Sequence, residues 1–143
     1  DRARLAGIAQ RAGLGDAVEF AGRMSGEAMV AELNRCHVFL NASPKEGWGL
    51  TVVEANACGV PVVGSDRPGL RDSIQDGVTG FLVPYGDADA FARRTAELLT
   101  DPALHARMSA AGEAWASSLT WEKTADEMER VFLHAARTTE QAA

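Results

Sequence analysis

The stretch HVFLNASPKEGWGLTVVEANACGVPVVGS, residues 37–65, decides the fold. It begins with a short, mostly apolar run at 37–42 and ends with a second one at 60–65. Runs of this kind are typical of strands that are buried on both faces of a parallel sheet. Between them, residues 49–58 fit a helix that Gly59 ends. The stretch therefore predicts a strand, a glycine-containing loop, a helix and a second strand.

The rest of the chain continues this alternation of strands and helices, which predicts an α/β fold with a parallel sheet. Trp115 and Trp121 are expected to pack among the C-terminal helices. The further strands are predicted at 17–20 and 79–84, and the further helices at 2–13, 25–34 (capped by Ser25), 69–77, from Asp87, from Asp101 and from Thr120.

Composition excludes some classes of protein. The chain has 143 residues and a formal net charge of −6, which disfavours a nucleic-acid binder, because such proteins carry a clustered basic excess. No apolar run approaches the roughly 18 residues of a membrane span. The two cysteines, Cys36 and Cys58, lie in apolar surroundings typical of a core. Two cysteines without a disulfide framework favour a reducing compartment.

The loop at 43–50 has the position of a ligand site. It follows the strand at 37–42, and open parallel sheets bind ligands at the carboxyl ends of their strands. Gly47 and Gly49 allow a ligand to approach the main chain closely. The free N–H groups at the start of the next helix, together with the helix dipole, favour a phosphate or a diphosphate.

Two carboxylates, Glu46 and Glu54, flank this predicted phosphate site and would repel a phosphate alone. A sugar nucleotide resolves the conflict, because its hexose and ribose hydroxyls are donors that carboxylates accept. We therefore hypothesise that the diphosphate binds the amides while the two carboxylates bind opposite ends of the ligand. Spacing alone favours the alternative, a purely structural turn with a solvated glutamate on the helix.

Several ordered blocks of the sequence resemble a known family. EGWGLTVVEA at 46–55 resembles the Glu-x7-Glu motif of retaining glycosyltransferases of family 4, also called group 1. CGVPVVGSD at 58–66 and DGVTGFLVP at 76–84 resemble two further blocks of that family. The segments at 18–43 and 119–132 resemble the family's preceding strand-loop-helix-strand and its closing helix. The resemblance implies a Rossmann-like sheet with flanking helices, the C-terminal half of a GT-B fold without its first strand-helix units.

The resemblance also implies roles for individual residues. Glu46 is similar to the first glutamate, the catalytic-site residue that contacts hydroxyls of the donor sugar near the reacting centre. Glu54 is similar to the second glutamate, which binds the ribose hydroxyls. Such enzymes need no metal ion or other cofactor. The resemblance places the remaining donor contacts at Arg23 and Met24, along the base, and at Gly47, Trp48, Gly49, Leu50 and Thr51.

The function implied is transfer of a sugar, with retention of configuration, from a nucleotide-diphosphate sugar to an acceptor in polysaccharide, glycolipid or other glycoconjugate synthesis. The acceptor would be a glycan or a lipid-linked molecule bound by a domain absent from residues 1–143, which we expect to be one partial domain. The family's Arg and Lys contacts to the diphosphate are also unmatched, so we expect this fragment to be inactive alone. Two alternatives stay open: a non-catalytic nucleotide-sugar-binding module and a sugar-nucleotide epimerase of the same fold.

The same resemblance sets expectations for partners and location. The missing strand-helix units would leave strand edges without neighbouring strands. Such edges expose hydrogen-bonding groups, so self-association through the edges of the sheet is expected. No nucleic-acid partner is expected. The expected location is the cytoplasm. For the full-length protein, the inner face of the membrane is an alternative.

Overall fold

The computed structural model describes residues 1–141, which divide into two compact units, residues 1–31 and the described residues from Glu32 onward. The first unit contains helix α1, Arg2–Arg11, and a turn of 3-10 helix, Gly15–Ala17. Helix α2, Gly26–Leu33, begins in this unit. The Ser25 hydroxyl accepts a hydrogen bond from the Ala28 amide at 3.3 Å, so the predicted cap of α2 is confirmed.

The predicted strand at 17–20 is wrong. Ala17 ends the 3-10 turn, and Val18 has extended backbone angles, φ −120° and ψ 116°, but belongs to no strand. Within residues 1–141 the segment pairs with no other strand. A strand is stable only when a neighbouring strand satisfies its backbone N–H and C=O groups, so extended angles alone do not make one.

The second unit is built on a three-stranded parallel sheet. Its strands β1, Phe39–Asn41, β2, Val62–Ser65, and β3, Gly80–Val83, lie in the order β1-β2-β3. Val62 of β2 lies opposite Phe39 of β1 and Gly80 of β3. The predicted α/β class with a parallel sheet and flanking helices is confirmed.

Five helices of the second unit follow α2 within the described residues. The predicted helix at 69–77 is only four residues long, because the Thr79 hydroxyl accepts from the Gln75 amide and the Asp76 carboxylate accepts from the Leu82 amide. These bonds hold the chain in a turn that leads into β3. The five helices are α3 Leu50–Ala57, α4 Leu70–Ser73, α5 Ala88–Thr100, α6 Pro102–Ser117 and α7 Trp121–Gln141.

The main core lies between the sheet and helices α5 and α6. Trp115 of α6 packs inward, and its indole N–H donates to the Ser73 carbonyl at 3.1 Å, so its predicted packing is confirmed. The same prediction is wrong for Trp121, which is 87% exposed. Cys36 is exposed and Cys58 half-buried, so the core prediction is wrong for Cys36. The core cluster consists of Val63, Phe81, Val83, Ala90, Leu98, Leu104 and Met108.

Helix α7 carries apolar side chains that the rest of the described chain leaves exposed. Met128, Val131 and Phe132 are each more than half exposed. The spacing of an amphipathic helix predicted the helix, but which surface covers its apolar side depends on packing. No helix within residues 1–141 is both long and apolar enough to cross a membrane.

Candidate functional site

Two loops meet at the carboxyl edge of the sheet. The first loop, 42–49, follows β1, and the second loop, 66–69, follows β2. Gly69, with φ +85°, lies so close to Glu46 that a Cβ at position 69 would be 2.8 Å from the Glu46 carbonyl carbon. A side chain there would overlap the first loop, so glycine is required for this approach. The two loops together define the candidate site.

The start of helix α3 forms the floor of the site. Its N-cap is Gly49, with φ +82°, and no side chain caps the helix. A Cβ at Gly49 would be 2.7 Å from the Ser73 hydroxyl, so close packing against α4 excludes a larger capping residue. Serine, threonine or aspartate would ordinarily supply an oxygen acceptor at this position. The helix start is therefore open to an outside acceptor.

Four consecutive backbone N–H groups remain free at this helix start. In the described part of the chain, the amides of Trp48, Gly49, Leu50 and Thr51 donate to no protein acceptor. The first intrahelical bond runs from the Val52 amide to the Gly49 carbonyl, at 2.9 Å. Free amides and the positive end of the helix dipole suit an anion. Gly47 precedes them and is exposed, with open space on its Cβ side.

Glu46 precedes the first of these amides by two positions in the chain and is half-buried. Its Oε1 accepts a hydrogen bond from the Ser43 hydroxyl at 2.6 Å. The Ser43 amide in turn donates to Oδ1 of Asn41 at 3.1 Å, and Asn41 is only 8% exposed. The carboxylate is thus connected by two hydrogen bonds to the buried end of β1.

Glu54 lies on α3 and is exposed. It follows Leu50, the first helical residue, by four positions, so it stands about 6 Å further along the helix axis. Its carboxylate forms no hydrogen bond or ion pair with the rest of residues 1–141. One short segment therefore presents Glu46, free amides and then a free Glu54 carboxylate.

Arg23 and Met24 belong to the first compact unit. They lie in the loop before α2, and both side chains are exposed. Their contact with the base of a nucleotide stays a prediction.

Charged residues also lie in the second loop and in helix α4. The Asp66 carboxylate accepts a hydrogen bond from Nε of Arg71, which lowers the pKa of Asp66 and raises that of Arg71. The Arg67 guanidinium lies 4.8 Å from the centre of the Tyr85 ring. Nothing in the local sequence indicates the contact between Arg67 and Tyr85, which are 18 positions apart in the chain.

Metal ligands are not clustered in the described part of the chain. Among residues 1–141, no group of three or more His, Cys, Asp or Glu side chains is arranged to hold a metal ion. That the activity needs no metal stays a prediction.

Comparison with known sequences identifies relatives of the chain. Residues 1–115 match the family described as Glycosyl transferases group 1. The chain is 35% identical over 128 residues to D-inositol 3-phosphate glycosyltransferase of Streptomyces scabiei, a match that covers 90% of this chain and 29% of the relative. It is 33% identical over 138 residues to the Thermobifida fusca enzyme of the same name, covering 94% and 32%. The chain thus spans less than a third of the length of these relatives.

Comparison with solved structures gives similar folds. Sucrose-phosphate synthase from Thermosynechococcus elongatus superposes with a TM-score of 0.82 at 33% identity, covering 96% of this chain and 35% of that one. Anabaena HepE, solved in complex with UDP-glucose, has a TM-score of 0.78 at 25% identity, covering 92% and 36%. The predicted resemblance to part of a glycosyltransferase fold is confirmed.

Proposed function

This chain belongs to the group 1 glycosyltransferases, and we propose that it is the donor-binding part of a retaining enzyme. That enzyme transfers a sugar from a nucleotide-diphosphate sugar to a glycan or a lipid-linked acceptor. The acceptor is bound by a part of the protein outside these residues, and this partial donor-binding region is inactive alone. The enzyme acts in the cytoplasm or at the inner face of the membrane.

The observation that carries this proposal is the uncapped start of α3 beside a half-buried glutamate. Free amides from Trp48 to Thr51 supply the site for a diphosphate without any lysine or arginine. Glu46 and Glu54 flank these amides, and carboxylates accept hydrogen bonds from sugar hydroxyls. HepE, a solved structure with this fold, contains UDP-glucose, a ligand with these three parts.

Each part of the site has a separate task in the proposed reaction. The amides of α3 stabilise the negative charge that develops on the leaving diphosphate, which requires donors already in place before the bond breaks. Glu46 orients the donor sugar and balances the positive charge of an oxocarbenium-like transition state. Glu46 is not the nucleophile, because the acceptor enters on the same face as the diphosphate leaves. Glu54 holds the ribose, and Arg23 and Met24 line the base. No metal ion takes part.

Calorimetric titration of the full-length protein tests this proposal. UDP-glucose, GDP-mannose and ADP-glucose are titrated into the unaltered protein and into Glu54→Ala. We expect one donor to bind, and its dissociation constant to rise about tenfold or more in the variant, because hydrogen bonds to a charged acceptor are lost.

The matched control is Glu129→Ala, which removes an exposed helical carboxylate on α7, outside both loops. We expect this control to bind the donor like the unaltered protein. Equal binding by Glu54→Ala and the unaltered protein would contradict the ribose role. Failure of all three donors to bind the folded protein would contradict the proposed function itself.

A further inference from the structure

We propose that Ser43 is a positioning residue that fixes the Glu46 carboxylate for the donor sugar, an inference that rests on the proposed function. Ser43 does not act on the donor directly. It holds the carboxylate in one orientation before the donor arrives, so that the hydroxyls of the sugar find an acceptor already in place.

The inference rests on two hydrogen bonds that connect the sheet to the Glu46 carboxylate. Asn41 is the last residue of β1 and is nearly fully buried. Its Oδ1 accepts the Ser43 amide at 3.1 Å, a turn typical of asparagine that fixes the chain leaving the strand. The Ser43 hydroxyl then donates to Oε1 of Glu46 at 2.6 Å. Together, the two bonds connect the Glu46 side chain to the buried end of β1.

The second bond has a length that suits a hydroxyl bonded to a carboxylate. Hydrogen bonds from a hydroxyl to an ionised carboxylate are charge-assisted and fall at about 2.5–2.7 Å. The 2.6 Å between Ser43 and Glu46 lies in this range. No ion pair competes for the Glu46 carboxylate within residues 1–141, even though Lys45 is its neighbour in sequence. Ser43 is therefore the side chain that holds Glu46.

The single O–H group of serine explains why Ser43 acts through Glu46. A serine hydroxyl has a single O–H, and here Glu46 accepts it. The same bond occupies Oε1 and leaves Oε2 of Glu46 without a partner in the described chain, open to a sugar hydroxyl. A free glutamate loses rotamer freedom when it binds a ligand. Fixing it in advance removes that cost from donor binding.

The test separates binding of the sugar from binding of the nucleotide. In the full-length protein, the dissociation constants of UDP, GDP and ADP are compared with those of UDP-glucose, GDP-mannose and ADP-glucose. For the nucleotide sugar that binds and its own nucleotide, the dissociation constant of the nucleotide is divided by that of the nucleotide sugar. This ratio measures how much the sugar contributes to binding. We expect Ser43→Ala to lower this ratio by about tenfold, the worth of one charge-assisted hydrogen bond, with the nucleotide constant unchanged.

Two further variants identify the cause. Ser43→Thr keeps the hydroxyl and should restore most of the ratio, whereas a general disturbance of the loop would not be rescued. Ser118→Ala is the matched control, because Ser118 is also half-buried and its hydroxyl donates to the Trp115 carbonyl at 2.7 Å, outside both loops. Ser118→Ala should leave both constants unchanged.

A double-mutant cycle with Glu46→Ala decides whether Ser43 acts through Glu46. We expect Ser43→Ala to have no further effect on the ratio once Glu46 is alanine. An equal, additional loss in the double variant would overturn the positioning role and place Ser43 on the ligand. An unchanged ratio in Ser43→Ala, with the donor still bound, would overturn the inference and leave the proposed function standing. If no nucleotide sugar binds the unaltered protein, the proposed function fails and the positioning role fails with it.

Discussion

Replacing Gly69 by alanine should destabilise the chain through its contact with Glu46. Gly69 has φ +85°, and a Cβ there would be 2.8 Å from the Glu46 carbonyl carbon and 3.1 Å from the Glu46 Cβ. The ψ of −47° at Gly69 places this residue outside the left-handed helical region, in a conformation that costs an L-residue about 1–3 kcal/mol. The overlap adds about 1–3 kcal/mol, because backbone atoms cannot move aside without displacing the loop. The expected loss in the free energy of unfolding is therefore about 2–6 kcal/mol.

Urea unfolding of Gly69→Ala, with two matched controls, measures this loss. Gly77→Ala and Gly86→Ala also place alanine at positive φ, +74° and +83°, but nothing lies within 4 Å of a Cβ at either position. We expect each control to lose only the backbone cost of about 1–2 kcal/mol. The excess in Gly69→Ala over these controls combines the contact between the two loops with the added strain of the ψ of −47° at Gly69. A Gly69→Ala loss equal to that of the controls would refute the close approach of loop 66–69 to Glu46.

Two further predictions concern stability. Trp115→Phe removes the indole N–H that donates to Ser73 and should cost about 0.5–1.5 kcal/mol of unfolding free energy in urea, whereas Trp121→Phe, at an exposed position, should cost almost nothing. Equal losses would contradict this packing. Because Arg71 lowers the pKa of Asp66, the ionised carboxylate stabilises the folded chain above its ordinary pKa of 3.8, and that stabilisation disappears as pH falls through the lowered value. Asp66→Asn should therefore flatten the fall in melting temperature below pH 3.8, and an unchanged slope would count against the pair.

The sequence predicted the sheet well where the pattern is local. The apolar runs at 37–42, 60–65 and 79–84 all became parallel strands, with each end within two residues of its predicted position. The run at 17–20 failed because a strand also needs a neighbour, which no local pattern reveals. The helix at 69–77 was too long because side chains of the following turn bond the backbone.

The order of the site residues along the chain was predicted, but the contacts between them were not. The succession of Glu46, a glycine loop and Glu54 follows directly from the sequence. The approach of Gly69 to Glu46 joins loops that follow two different strands, so it depends on the register of the sheet. The bond from Ser43 to Glu46 spans only three residues, but which way the serine hydroxyl points depends on the turn that Asn41 stabilises.

The central claim is that one segment, 46–54, binds a nucleotide sugar with its two glutamates at opposite ends. A crystal structure of the full-length protein with the donor that binds tightest tests it most directly. We expect the diphosphate on the amides of residues 48–51, a donor-sugar hydroxyl within hydrogen-bonding distance of the Glu46 carboxylate, and the ribose on Glu54. A donor bound away from this segment, or bound with its ribose at Glu46, would contradict the claim.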